Sequence, residues 1–508
     1  MAAKKSDAPD PSAPGRSYSE MAPKWAMINA LLGGTDAMRA AGRAYLPQYE
    51  NESDRRYATR LNMATLLNLT AFTLANLVGR VFKNPMVLND DVPEAIRGTT
   101  PDPETGLQSD PGLAEDIDGQ GNHLHVFCYN WFERGVAKGL GHVLIEMPVA
   151  AAPEPGRVRT KADDAGLRPY WVHVAAENVI FMSSAFVGGK EVLQQVRILE
   201  EYTEPSGMFE ESCGTQVRVL RPGLWEVWRY TEDRRGNRSW YVADAGETQL
   251  DYIPLVTFYA RRTGLGVSKV PLEDLAQLNV EHWQSKSDQR SILTAARFPI
   301  LAVAGSDGED ETTGRKVSLG PYSLLSTTDP TGRYYYVEHT GAAINAGRTD
   351  LRDLEDQMAS YGAQFLKKKA DMESATGRIL DSSETLSDLQ AFALNFKDSV
   401  EQALKITAEC LGLDGGGGSV TIDAGLSLSL DGSDLQTLNA ARANRDLSRR
   451  QYLEELKRRD VLADDFDEQL NEQELAEEND LGVMAGDPLA GPAPANPKPA
   501  APPVKTGG

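Results

Sequence analysis

His123 and His125 form an HxH pair, a spacing that could offer two imidazoles to a metal, but no Cys or carboxylate cluster near them in sequence completes a zinc site. They read as surface or core histidines. The GGGGS run at 415–419 lacks the Lys-Ser/Thr with which a phosphate-binding loop reaches its ligand, and no GxGxxG falls between a strand and a helix. It reads as a flexible connector. Nothing matches GxSxG, HExxH or a kinase set, and the acids are too scattered to nominate a general acid and base. What remains is clustered charge. Lys367, Lys368 and Lys369 end a predicted helix that begins with Asp350, Asp353, Glu355 and Asp356, and Asp371 and Glu373 follow. Acids first and cations last also complement a helix dipole. Tyr322, Tyr334, Tyr335 and Tyr336 gather in a β-like stretch, as amphipathic rings suited to a protein contact or to packing within that stretch.

Helices must hold those charges. Leu351, Leu354, Met358, Tyr361 and Phe365 follow three-four-three-four spacing, a single heptad-type seam, which predicts a helix resuming at about Thr349. Another long helix is predicted from Pro271, harmless at an early helix position, to Ala296. Its middle, residues 284–290, is almost wholly polar, so it is expected to line a solvated space or to stand between subunits. Seam and polar stretch alike look unsuited to a lone monomer. Between the two helices lie FPILAVAG, VSLGPYSLL and RYYYVEH, a β-like insertion.

Upstream, Tyr57, Leu61, Ala64, Ala71, Ala75, Val78 and Phe82 recur at helical spacing until Pro85, and a second helix covers 123–140. Residues 143–259 turn β-rich, with DRRGN at 233–237 as a hairpin turn. Downstream, a helix beginning near Ser387 buries Leu389, Phe392, Phe396, Val400, Ala403 and Leu404, with Ser387 and Gln390 at capping-box spacing. Beyond the glycines come a strand-like TIDAGLSLSL, a helix from about Asp434, and a helix capped by Ser448 and Gln451 with Leu447 and Tyr452 as its staple. Residues 464–480 then hold nine acids and no base.

The 508 residues carry a formal charge of −22, from 74 acidic against 52 basic side chains, which disfavours a protein that grips nucleic acid through its phosphates. Three separated cysteines make no disulfide framework and fit a reducing compartment. The polar start, MAAKKSDAPDPSAPGRS, has no apolar core of a secretory signal. The apolar stretch 61–82 is interrupted by Asn62, Asn68, Asn76 and Arg80, which favours a helix buried in protein over a membrane span. Both ends, 1–20 and 481–508, are rich in Ala, Pro and Gly and are expected to be disordered.

The order of parts, an α+β chain, resembles the portal proteins of tailed bacteriophages, specifically a branch labelled only as a domain of unknown function. The stretches that carry the likeness are YATRLNMATLLNLTAFTLANLVGRVFKNP, IDGQGNHLHVFCYNWFERGVAKGLGHVLIEMP, RPYWVHVAAENVI, PLEDLAQLNVEHWQSKSDQRSILTAARFPIL and SRRQYLEELKRRDVLADDFDEQLNEQELAEE. The resemblance spans about residues 25–480 through collinear order, with no single diagnostic motif. It implies a wing over 21–267 (helical, then β-rich), a stem helix over 268–297, a clip over 298–345, a second stem helix over 346–369 and a tunnel-loop region over 370–386. A long wing helix over 387–414 and a crown over 415–480 complete the implied order. It further implies a ring, twelve-membered in the capsid, at one vertex of the virion, assembled in the host cytoplasm and passing double-stranded DNA. The partners implied are major capsid and scaffolding proteins, the terminase large subunit and a head-to-tail adaptor, with no membrane, no cofactor and no enzymatic activity.

On this reading Lys367, Lys368, Lys369, Asp371 and Glu373 belong to the channel and tunnel, the four acids to the stem, and the four tyrosines to a clip interface. Two readings stay beside it: another non-enzymatic phage head-tail ring or scaffold component, and a hydrolytic enzyme whose site has no familiar motif.

Overall fold

The computed structural model describes residues 10–99, 111–148, 167–236, 238–248, 250–297, 300–304, 333–337, 341–364, 388–422, 432–444 and 446–458, with Leu462, Phe466, Leu470 and Asn471. They form an α+β protein in two units, Met1–Gly425 and Leu426–Gly508.

The first unit opens with α1 (Arg16–Leu32), α2 (Gly34–Ala41), α3 (Asp54–Met63) and α4 (Leu69–Val81). The helical run expected across 57–82 is broken. Asn68 starts α4 by accepting the Ala71 N–H at 3.0 Å, a side-chain cap that frees the intervening residues from the helix. The break resets the phase, so Ala75, expected inside, is exposed, while Leu74, Leu77, Val78 and Val81 are buried.

After β1 (Val87–Leu88) and α5 (Glu94–Arg97) comes α6 (Leu124–Lys138). Its N-cap is His123, whose Nδ1 accepts the His125 N–H at 3.0 Å, and His125 Nδ1 accepts the Met86 N–H at 3.1 Å. The HxH pair therefore serves the start of a helix. Among the described residues no group of three His, Cys, Asp or Glu could hold a metal ion. Gly139, at φ 84°, ends α6 in the left-handed conformation that glycine adopts without strain.

Strands β2 (Leu140–Glu146) and β3 (Tyr170–Val174) pair antiparallel. A five-stranded antiparallel meander follows: β4 (Val179–Val187), β5 (Lys190–Pro205), β6 (Glu211–Arg221), β7 (Leu224–Glu232) and β8 (Arg238–Glu247). The β7–β8 turn expected at 233–237 opens at Asp233, whose carbonyl accepts the Gly236 N–H. β9 (Leu255–Tyr259) returns to the free edge of β2. The short hairpin β10 (Arg262–Gly264) and β11 (Val267–Ser268) then leads into α7 (Glu273–Ala296), which starts two residues after Pro271. Strands β12 (Ile300–Ala304) and β13 (Arg333–Val337) pair antiparallel from Ile300↔Val337 to Ala304↔Arg333. They are followed by α8 (Ala342–Gln364), α9 (Asp388–Cys410) and β14 (Val420–Thr421), which pairs with β1.

The core is aromatic and centred on Phe396 of α9. Its ring lies 5.1 Å from Trp131 and 5.2 Å from Phe132 of α6, 5.1 Å from Phe258 of β9 and 6.1 Å from Phe82, all edge to face. Such pairs add about 0.5–1.5 kcal/mol each beyond burial. α6 lies so close on the sheet at Gly135 that a Cβ there would sit 2.2 Å from the Phe258 ring. All six apolar positions read for α9 are buried.

The glycine run is no loose connector. A Cβ on Gly417 would lie 2.2 Å from the Leu404 carbonyl carbon, and one on Gly418, at φ +76°, 2.5 Å from the Val92 Cα. Two backbones pack here where any side chain would intervene.

The second unit holds α10 (Gly432–Ala443) and α11 (Arg449–Arg458). Ser448 Oγ accepts the Gln451 N–H at 3.2 Å and donates to Gln451 Oε1 at the same distance, the first half of a capping box with a side-chain link. The acidic run at 464–480 falls almost wholly outside the described residues.

Candidate functional site: an acidic helix pair

The four acids singled out for charge stand on α8, which lies antiparallel to α7. Gln289 Nε2 donates to the Ile344 carbonyl at 2.8 Å, Ser285 Oγ to Asp350 Oδ2 at 2.7 Å, and His282 Nε2 meets Glu355 Oε1 at 3.2 Å, so the register runs down one helix as it runs up the other. α8 begins seven residues before the expected Thr349. Gly347 does not break it, since that glycine makes room for Gln289, whose Oε1 would lie 2.2 Å from an added Cβ.

Two expectations fail here. The heptad seam closes within one chain: Leu354 and Met358 are buried, and Gly362 admits Thr73 of α4, with Oγ1 3.1 Å from an added Cβ. The polar middle of α7 is likewise spent within the chain, on Gln284 Nε2 to the Tyr45 carbonyl at 2.9 Å, on the Gln289 and Ser285 bonds above, and on Asp288 accepting the Tyr49 hydroxyl. Hydrogen-bonded polar side chains can fill a helix contact as apolar ones do, provided nearly every group is paired. On α7, His282 Nδ1, Trp283 Nε1 and Ser287 Oγ are buried without a partner among the described residues.

The four acids of α8 divide. Asp350 and Glu355 turn back to α7, whereas Asp353 and Asp356, three residues apart and so on one side of the helix, are exposed without a partner among the described residues. Each helix carries four carboxylates and two cations. Burial holds the pKa of His282 below its usual value, with the Glu355 bond opposing, so the imidazole does not offset the acids at neutral pH. Lys367, Lys368, Lys369, Asp371, Glu373 and Tyr322 lie outside the described residues; Tyr334, Tyr335 and Tyr336 stand on β13 opposite Val303, Ala302 and Leu301.

Two constructions that fix α7 were not read from the sequence. Asn279 is fully buried: its Oδ1 accepts the Thr70 N–H at 3.1 Å and the Thr70 hydroxyl at 3.0 Å, and its Nδ2 donates to the Leu67 carbonyl at 2.8 Å, so α7 holds the first turn of α4. Its signal was there, a polar residue four before Trp283 on the buried phase. The second is a buried Arg60–Glu52 pair at 2.7 Å, with Arg60 4.4 Å from the Tyr49 ring centre and 3.9 Å from Asp288. Hydrogen bonding to Arg60 holds the Glu52 carboxyl below the usual range, while burial and then Asp288 push the Tyr49 hydroxyl up to about 12.

A cavity of about 210 Å³ lies away from this pair, walled by Gly15, Ser17, Trp25, His142, Phe181 and Met182 among others. His142 is buried, its Nδ1 2.9 Å from Thr257 Oγ1, and burial lowers its pKa to about 4. It is neutral at pH 7.

A family model described as "Domain of unknown function (DUF4055)" matches residues 271–411, from the turn before α7 to the end of α9; the description names no activity. No curated protein matches the sequence. Among solved structures the chain is similar to one in the virion of a native gene transfer agent particle, at TM-score 0.35 and 11% identity, with 81% of this chain and 95% of that one covered. It is also similar to a chain in the neck of an empty gene transfer agent particle computed with C6 symmetry, at TM-score 0.33 and 11% identity, covering 83% and 90%. Likeness at such scores says nothing of function. Among the described residues no helix is long and apolar enough to cross a membrane.

Proposed function

We propose that this chain is one subunit of a phage portal, a closed ring at a capsid vertex through which double-stranded DNA is packaged and later ejected. The observation that carries the reading is the antiparallel α7–α8 pair, followed and preceded by the paired strands β12 and β13, with an excess of carboxylates on both helices. The collinear sequence resemblance supports it. The ring no longer leans on the seam or the polar stretch, both of which close within the chain.

The physics of such a wall is repulsion. A 24-residue helix is about 36 Å long, and a duplex presents one phosphate per roughly 1.7 Å of axis, so roughly twenty phosphates lie alongside it. A basic wall would release counterions and hold the duplex; an acidic one leaves it free to move. Asp353 and Asp356 are the side chains best placed to act so, and Lys367 to Lys369 would supply at most a narrow ring of transient contacts. Motor work would belong to the terminase, and this chain would do no chemistry of its own. Capsid, scaffolding, terminase and adaptor proteins are its partners on this reading.

Negative-stain imaging with sedimentation of the purified protein tests it: a ring with a central channel is expected. A chain of 55.4 kDa that stays monomeric at micromolar concentration under several salt conditions would overturn the proposal.

A further inference from the structure

The strands β5 and β6 outrun their neighbours. β4 pairs with β5 only as far as Ile198, and β7 pairs with β6 only from Val217 to Arg221. From Glu200↔Gln216 to Pro205↔Glu211 the two strands pair with each other alone, six pairs that carry the ribbon about 17 Å beyond the sheet. Arg229 steadies its base, donating to Gln216 Oε1 at 3.1 Å and to Glu204 Oε1 at 2.6 Å beneath the Tyr202 ring. At the tip stand Met208 and Phe209, 89% and 93% exposed. Around them residues 198–217 hold five carboxylates and no base; Glu200 pairs with Arg218 and Glu204 with Arg229, which leaves Glu201, Glu210 and Glu211 exposed without an ion-pair partner among the described residues. Two large apolar side chains at the end of an anionic arm suit neither an anionic lipid surface nor nucleic acid; they suit an apolar patch on a protein with cations nearby.

This chain carries such a patch. Residues 61–89 contain no Asp or Glu, although the whole chain has 74. Within them α4 turns Phe72, Ala75, Asn76, Gly79 and Arg80 outward along one side. Phe72 is 66% exposed, a Cβ added to Gly79 would meet nothing within 4 Å, and Arg80 has no ion-pair partner among the described residues. An apolar stripe ending in a free cation matches an apolar tip flanked by free carboxylates.

We infer that the β5–β6 arm of one copy docks on the exposed face of α4 in the next copy, Met208 and Phe209 lying over Phe72 and Ala75 and a tip carboxylate meeting Arg80. The two surfaces differ, so the contact is head to tail, the kind that closes into a ring when the rotation per subunit allows. The inference rests on the ring proposal and names the contact that builds it.

The test begins with the full-length protein carrying Cys213→Ser, because Cys213 is exposed on the arm. Chains with Phe209→Cys and chains with Ala75→Cys are mixed and oxidised; disulfide-linked pairs of unlike chains are expected in the mixture and absent from either alone. In parallel, Met208→Ser/Phe209→Ser and Arg80→Glu should each raise the protomer concentration needed for assembly at least tenfold in sedimentation velocity. Adding Glu211→Lys to Arg80→Glu should restore assembly. All changes fall on exposed side chains, and unchanged circular dichroism confirms folding. If the unmodified chain forms rings while these variants assemble equally well and no unlike pairs cross-link, the arm contact is wrong and the ring stands. If the unmodified chain never assembles, the ring proposal and this contact fall together.

Discussion

Asn279→Ala removes one side chain and orphans two groups in a fully buried place, the Thr70 N–H and the Thr70 hydroxyl, and leaves the Leu67 carbonyl with only the Leu69 N–H at 3.1 Å. A buried group left unpaired costs about 1–3 kcal/mol, and partial relaxation of the first turn of α4 recovers some of it. The expected loss is therefore about 3–5 kcal/mol, a large share of the 5–15 kcal/mol that holds most domains folded. Urea unfolding followed by far-UV circular dichroism, at one protein concentration for all variants, measures it. Exchange of the Thr70 and Ala71 amides should rise about a hundredfold or more, since each 1.4 kcal/mol is a factor of ten. Thr70→Val alone should cost about 1–2 kcal/mol, and the double variant less than the sum, because the two side chains share a bond. A loss below about 1 kcal/mol for Asn279→Ala with unchanged exchange would show that α4 does not depend on α7 for its start.

Gly417→Ala and Gly418→Ala should each destabilise by more than about 2 kcal/mol, because the new Cβ meets backbone and Gly418 also has positive φ; urea midpoints equal to wild type would restore the flexible connector. The pH dependence follows from His142, whose folded pKa of about 4 lies below an unfolded value near 6.5. The unfolded chain binds the proton first, so stability is complete above pH 6.5 and falls as pH drops toward 4, by about 2 kcal/mol at pH 5 from this residue. His142→Gln should flatten that slope in denaturation curves between pH 6.5 and 5, leaving the share of His173, also lowered to about 4 by burial; an unaltered slope would refute the assignment.

Periodicity and capping were the legible parts. The six apolar positions of α9 and, on α8, Leu354 and Met358 of the seam are buried as their spacing requires, while Phe365 lies outside the described residues, and Ser448 caps α11 with Gln451 three residues on. What escaped was set by partners distant in sequence. Nothing local in GGGGS tells that Gly417 and Gly418 are pressed against Leu404 and Val92 while Gly415 and Gly416 face open space. The polar stretch of α7 looked solvated because its partners, Tyr45, Tyr49 and α8, lie 55 to 239 residues away. The break at Asn68 is a cap whose signal was outweighed by a run of apolar spacing on both sides. Of the candidate site, the acids of α8 were legible as a charged helix, but that Asp350 and Glu355 turn inward while Asp353 and Asp356 stay free depends on Ser285 and His282 across the pair.

The pairing of β1 with β14 sets a clock on the newborn chain. Val87 meets Thr421, and Ser419 bonds to Asn89 and Asp91, across about 330 residues. At 5–20 residues per second of synthesis, those partners emerge roughly 15–70 s after β1. Phe396, on which α4, α6 and β9 converge, is nearly as late. Until then the inner faces of the early helices have nothing to close on, and for that interval they depend on chaperones or on collapse with the wrong neighbours being reversible. The first unit is thus sealed only when most of the chain exists, which sets a lower limit on how early in synthesis one copy can present a finished surface to another.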